Sequence, residues 1–229
     1  MNLTPDSHVL VMLGPIELNA TIVWTWFVMA LLTVVSWRVT RRLSSDVTMS
    51  RWQNTLESIV SYIRDSIADI TGQDPAPYLP FVGTLFLFIA TSNLLLPLPI
   101  YEPPTGSLST TGALAVCVLL AVPAFAISQE GVGAYFSHFI KPTPLVAPFM
   151  IIGEFTRTLS LAVRLFGNVM SGSVIVAILL SIAPFFFPVL LQLLGMLTGT
   201  IQAYIFAVLA IVYIASAQRT REATRGGAA

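Results

Sequence analysis

Three charged side chains, Glu154, Arg157 and Arg164, interrupt a run from Leu145 to Leu180 that is otherwise dominated by Leu, Ile, Val, Phe, Ala and Met. A guanidinium at the centre of a membrane helix costs roughly 2.5 to 3.5 kcal/mol on insertion scales. Arg keeps its proton at any working pH, so it cannot avoid that cost by becoming neutral. Ionisable groups in such a setting mark ion pathways, proton relays or counter-ion pairs. Glu154 and Arg157 stand at i and i+3, neighbours on one helix face, and can partly satisfy each other. Arg164 has no acid three or four residues away, and no other buried carboxylate in the chain is available to serve it. Any partner it has lies elsewhere.

Other chemistries find little support. His8 and His138 fall on opposite sides of the membrane in the topology set out below, and neither stands in a His/Cys/carboxylate cluster at ligand spacing, so no metal site is expected. They and Glu130 read as surface polar residues. The single Cys117 cannot form an internal disulfide. There is no Walker-type glycine loop, no Gly-x-Ser-x-Gly elbow and no His-Glu-x-x-His, so neither a cofactor nor catalysis by this chain alone is expected. A formal net charge of zero gives no reason to expect a nucleic-acid partner.

The elements that must hold these residues are membrane helices. Of 229 residues 55% are hydrophobic and only 10% charged, against about 25% charged in soluble domains. The expected class is an all-α integral membrane protein. Apolar stretches at about 20–37, 79–98, 109–128, 146–182 and 187–217 are read as five spans, since a hydrocarbon core needs about 20 helical residues. Arg38, Arg41, Arg42, Arg51 and Arg64 fall between the first two spans, Lys141 between the third and fourth, and Arg219, Arg221 and Arg225 after the fifth. The positive-inside rule then gives an outside N-terminus and a cytoplasmic C-terminus. Residues 1–19 lack Lys and Arg and carry Asp6 and Glu17, unlike a secretory signal, so the N-terminus is expected to be retained.

Between the first two spans, Trp52, Leu56, Ile59, Val60, Ile63, Ile67 and Ile70 recur at steps of three and four. That pattern predicts an amphipathic helix, lying on the cytoplasmic membrane surface or docking a partner helix. Gly72, Pro75 and Pro77 stop it. The second span carries Asn93 and closes at Pro97 and Pro99; one buried Asn is usually glue between helices. Two regions result, 1–77 with the outside tail, first span and surface helix, and 78–229 with the remaining spans and a cytoplasmic tail.

The last two spans are unusually long. Residues 146–182 would extend about 55 Å if helical throughout, against a core of about 30 Å. A strongly tilted hairpin turning at Pro184 and Pro188 is expected. On its second arm Gly195, Gly199 and Ala203 form a small-residue stripe for close helix packing, and Thr198 and Gln202 lie beside it. Gln202, a buried amide near the arginine-bearing helix, is read as functional.

Ser160 to Asn168 (SLAVRLFGN), followed by Thr200 to Phe206 (TIQAYIF), closely resembles the signature of the a subunit of F-type ATP synthases. Tyr78 to Asn93 (YLPFVGTLFLFIATSN), Ile140 to Leu145 (IKPTPL) and Glu154 to Asn168 (EFTRTLSLAVRLFGN) look particularly like the chloroplast and cyanobacterial branch. The likeness covers roughly 78–217; the first 77 residues match only in architecture. The resemblance implies a non-catalytic stator beside a rotating ring of c subunits, each with a mid-membrane carboxylate, reached through two offset half-channels. It further implies b-type peripheral stalk subunits, a soluble ATPase head and a bacterial inner membrane around the chain. Arg164 corresponds to the family's essential arginine, Gln202 to the glutamine facing it and Asn168 to the asparagine one turn along. The partner of Arg164 would then be a carboxylate on another chain.

Two departures stand out. Nine residues after the arginine, where the family usually has a glutamate, this chain has Ser173. Ser107 and Ser109 replace an acid and an asparagine before Thr110 and Thr111. A serine cannot buffer a proton near neutral pH but can bind water or a hard cation through oxygen. The path would use waters and Glu154, with the proton as the ion; the alternative is a divergent sodium-type rotary ATPase. From other classes, a self-contained secondary transporter or channel would explain the charged set but shows no inverted repeat, and a structural anchor for an enzyme complex remains the plainest reading.

Overall fold

The computed structural model describes residues 9–13, 16–41, 51–98, 101–131, 147–182 and 187–226; His8, His138, residues 140–145 and Pro184 lie outside the described residues. The chain begins with a short antiparallel hairpin, β1 (Val9–Leu13) and β2 (Ile16–Asn19), in which Val11 pairs with Leu18 and Leu13 with Ile16. This hairpin was not expected. The two apolar runs flanking Gly14-Pro15 carry the signal for it, a turn dipeptide between strand-forming residues. It is a small addition to an otherwise helical chain, and the all-α class holds.

Helix α1 (Ala20–Thr40) has 21 residues, about 32 Å, enough to cross a hydrocarbon core. It is apolar all round: Trp26, Phe27 and Trp37 are exposed, and only Ala20, Thr21 and Val28 are buried. The Arg41 guanidinium lies 4.9 Å from the centre of the Trp37 ring, a pairing suited to the membrane edge. Helix α2 (Arg51–Thr71) is the expected amphipathic helix. It ends where Gly72 takes φ 68° and donates its N–H to the Ala68 carbonyl at 2.8 Å, a left-handed closure that costs a glycine little. Its Ile63 and Ile67 are buried against Tyr78, Val82, Ala207 and Ile211, so the apolar face docks on helices of this same chain. Val60, assigned to that face by spacing, is exposed.

Helix α3 (Leu79–Leu94) is shorter than the expected span over 79–98. Its 16 residues rise about 24 Å, short of the core's thickness. It gives way to turns at Leu95 because Pro97 and Pro99 cannot donate to a continuing helix and force their predecessors out of helical geometry. After a single 3-10 turn at Pro104–Gly106 come α4 (Leu108–Glu130), α5 (Ala147–Ile182) and α6 (Phe187–Gly226). Among the described residues, therefore, four helices rather than five are long and apolar enough to cross a membrane: α1, α4, α5 and α6. At 36 and 40 residues, α5 and α6 would extend about 54 and 60 Å. Both exceed a membrane core nearly twofold, as the sequence predicted for the tilted hairpin.

Helix α6 is the centre of the bundle. It packs most extensively on α3, then on α5, α4 and α2. Leu85, Phe88 and Ile89 of α3, Leu161 and Leu165 of α5, and Ala203, Phe206 and Ala210 of α6 fill one buried cluster. The alanines let the helix backbones approach closely, which is where membrane helices gain their packing energy.

Candidate functional site at the α5–α6 pair

Helix α5 presents one face to α4 and α6 and leaves the other open. Leu161, Ala162, Leu165 and Val169 are buried, while Phe155, Leu159, Val163 and Ile178 are exposed. Arg164 falls on the open side, in a row with Thr156, Ser160, Gly167 and Ser171, all exposed. Small side chains around a guanidinium leave it reachable from outside the chain. Among the described residues Arg164 has no ion pair.

The two arginines of α5 stand in different circumstances. Arg157 Nη1 lies 3.8 Å from Glu154 Oε2, the i,i+3 pair expected from the sequence. Its guanidinium also lies 5.5 Å from the centre of the Tyr213 ring of α6. That cation–π contact joins residues 56 apart and had no signal in the local pattern. Glu154 and Arg157 are both partly exposed, so the pair holds geometry rather than contributing much stability.

Helices α5 and α6 run back along each other. Arg164 is 18 residues before Ile182 and Gln202 is 15 after Phe187, which puts them about 27 and 23 Å from the closed end of the hairpin, at similar heights. Gln202 is buried, and its Nε2 has no hydrogen-bond partner among the described residues. A buried amide without a partner costs about 1–3 kcal/mol, so this group is set for a water or for a second chain.

The small-residue stripe of α6 faces α3. A Cβ at Gly199 would meet Asn93 Cγ at 2.7 Å, and one at Gly195 would meet Leu96 Cδ2 at 3.5 Å; Ala203 is fully buried. Asn93 Nδ2 donates to the Gly199 carbonyl at 2.9 Å, and Thr105 Oγ1 donates to Asn93 Oδ1 at 3.1 Å. All three residues are buried, and the node ties α3, the 3-10 turn and α6 together three residues before Gln202. Asn93 is thus the interhelical glue its single occurrence implied.

Beyond Arg164 toward the hairpin's closed end, a cleft of about 220 Å³ opens between α5, α6 and the segment after α3. Asn168 and Ser173 line it, as does Gln192, which sequence reasoning passed over although it is the lone amide in the run from Phe187 to Leu197. Ser173 Oγ donates to the Val169 carbonyl at 2.9 Å, leaving its oxygen free to accept. The Tyr101 ring forms part of the wall and is set edge-on to Trp24 of α1, with centroids 5.0 Å apart. Burial pushes the Tyr101 phenol well above its ordinary range, opposed in part by nearby Ser92, so it stays neutral at working pH. Ser107 and Ser109, 2.7 Å apart between hydroxyl oxygens, pair with each other in the turn leading to α4.

Residues 22–215 match the model of the ATP synthase A chain family. The chain belongs to that family. It is similar to ATP synthase subunit a 2 of Acaryochloris marina, 58% identical over 219 residues that cover 96% of this chain and 94% of that one. Subunit a 1 of Chlorobaculum parvum is 57% identical over 97% of this chain and 98% of its own length. Subunit a of Albidiferax ferrireducens is 54% identical over 97% and 96%. The resemblance drawn from the arginine and glutamine motifs therefore extends through the first 77 residues, where architecture alone had matched. Membership makes the chain a non-catalytic, multi-pass membrane subunit of an ATP synthase.

Proposed function

We propose that this chain is the stator of a rotary membrane motor, passing protons through two half-channels to and from carboxylates on a ring of c subunits. The observation that carries the reading is Arg164, a permanent cation on an exposed apolar face with no ion-pair partner among the described residues. A carboxylate arriving there is favoured in its ionised form and gives up its ion. The same charge blocks direct leakage of a cation between the half-channels. Gln202, at the same height, supplies the amide that meets the arriving group, and Asn168 continues the polar row. The open face of α5, with Phe155, Leu159 and Val163 exposed beside Arg164, is the surface that meets the ring.

One half-channel reaches the cytoplasm near Glu154 and Arg157, and the other reaches the exterior through the cleft at Ser173. This orientation follows the basic loops, with the N-terminus outside and the C-terminus cytoplasmic in a bacterial inner membrane. The b-type stalk subunits pack on the remaining exposed helices, and the soluble head completes the complex. A second reading, sodium in place of the proton, is favoured by Ser173, Ser107 and Ser109, neutral oxygens where the family's pattern has acids or an amide.

The test is ATP-driven pumping by inverted vesicles carrying the assembled complex. Arg164→Ala is expected to abolish pumping with the complex intact, since the substitution removes a surface charge that has no ion pair among the described residues. Wild-type pumping in Arg164→Ala would falsify the proposal. A protonophore separates the ions: it collapses a proton gradient, and it leaves accumulation of labelled sodium undiminished.

A further inference from the structure

Gln192 has no role in the reading above, yet it sits where that reading needs polarity. The cleft beside it has room for several waters. Apolar cavities stay dry, and a retained water needs two to four polar partners. From α5 the wall offers the Asn168 amide and the Ser173 hydroxyl oxygen; from α6 the side chains are Leu191 and Gln192, with Gly195 adding none. Gln192 is thus the polar side chain that α6 contributes, with two N–H donors and a carbonyl acceptor. It has no hydrogen-bond partner among the described residues. Gly172 leaves part of this wall open, since a Cβ there would meet nothing within 4 Å. Ser173 lies nine residues before Ile182 and Gln192 five after Phe187, about 14 and 8 Å from the closed end of the hairpin, so the two face the cleft within about 6 Å of each other in height.

We propose that Gln192 is a water-positioning residue of the outer access path, holding with Asn168 and Ser173 the water along which the ion reaches the level of Arg164. The proposal rests on the half-channel reading. Among the described residues the lining holds no carboxylate, amine or imidazole, and its one titratable side chain is Tyr101, whose hydroxyl is buried and neutral. Glu102, next to Tyr101 in the loop, is not part of the lining. The ion therefore moves here with water and is not relayed by protonation of a side chain.

The experiment uses the whole complex in sealed vesicles, with Cys117→Ser as background and Ser173→Cys as reporter. The probe is a membrane-impermeant sulfonated methanethiosulfonate, which reacts with thiolate and so needs water at the site. Outside labelling of Ser173→Cys is expected. Adding Gln192→Met, which keeps length and helix propensity and removes both polar groups, is expected to slow that labelling at least tenfold. Gln192→Glu is expected to preserve labelling and to give pumping a new dependence on outer pH, which a merely structural side chain would not confer. Unchanged labelling in Gln192→Met overturns the proposal and leaves the half-channel reading standing. If Ser173→Cys is unreactive from outside with Gln192 intact, the half-channel reading fails at this cleft, and the role of Gln192 fails with it. Should Gln192→Met lower the yield of complex, Gln192→Ser, smaller and still polar, must retain the labelling rate, or the side chain is structural only.

Discussion

Adding one methyl group at Gly199 tests the packing on which the site depends. In Gly199→Ala the new Cβ would lie 2.7 Å from Asn93 Cγ, 2.8 Å from its Cβ and 3.1 Å from Nδ2, the first two closer than real Cβ atoms approach and the third tight. Either α6 withdraws from α3, or Asn93 rotates and gives up its bonds to the Gly199 carbonyl and the Thr105 hydroxyl. Overpacking of this kind costs about 1–3 kcal/mol, and a polar contact between membrane helices is worth about 0.6 and at most about 1.7 kcal/mol. Alanine's better helix propensity returns about 0.5–1 kcal/mol. The net expectation is destabilisation by about 0.5–2 kcal/mol, read as a lower thermal midpoint and a lower yield of intact complex. Gly83→Ala in α3 is the control, because a Cβ there meets nothing within 4 Å and only the propensity gain remains. Equal thermal midpoints for Gly199→Ala and Gly83→Ala would refute the close approach.

Two further expectations follow from the charged residues. Arg157→Lys should retain a large part of pumping, because an ammonium can still meet Glu154 and the Tyr213 ring, and loss as complete as in Arg164→Ala would show that the two arginines are ranked wrongly. Glu154→Cys, in a Cys117→Ser background, should react with the impermeant thiol probe from the cytoplasmic side; labelling from outside would reverse the orientation drawn from the basic loops.

What the sequence made legible was local. The i,i+3 spacing of Glu154 and Arg157 became a 3.8 Å pair, and Gly72 with the prolines after it ended α2 at Thr71. The glycine stripe announced a close approach but not its partner. The structure puts against Gly199 not the preceding arm of the hairpin but Asn93, 106 residues away. Pairings at that separation depend on how the helices assemble, which periodicity does not encode. The length of α3 was overestimated because Leu94 to Leu96 is as apolar as a helix, and the decisive signal was the proline pair, Pro97 and Pro99, behind it. The cleft was half legible. Ser173 drew notice by departing from the family's pattern, while Gln192, matching no motif, could have been found only as a lone amide in an apolar run.

On the proposed mechanism, the Glu154–Arg157–Tyr213 contact accounts for the availability of Arg164 to another chain. Glu154 is the nearest acid along α5, ten residues or about 15 Å away. At an effective dielectric near 20, a free carboxylate at that distance would attract Arg164 by roughly 1 kcal/mol, against roughly 4 kcal/mol for one arriving at 4 Å. The negative field of a free Glu154 would repel the arriving group by a similar amount, offsetting about a quarter of its attraction to Arg164. Arg157, held beside Glu154 by both the ion pair and the Tyr213 ring, turns the carboxylate's field into that of a dipole, which falls off faster with distance. The attraction felt by Arg164 from its own chain is then small compared with that from an incoming partner. On the proposed mechanism, Arg157 thus acts by keeping Glu154 electrostatically quiet, and Arg164 acts by having no counter-charge paired with it among the described residues.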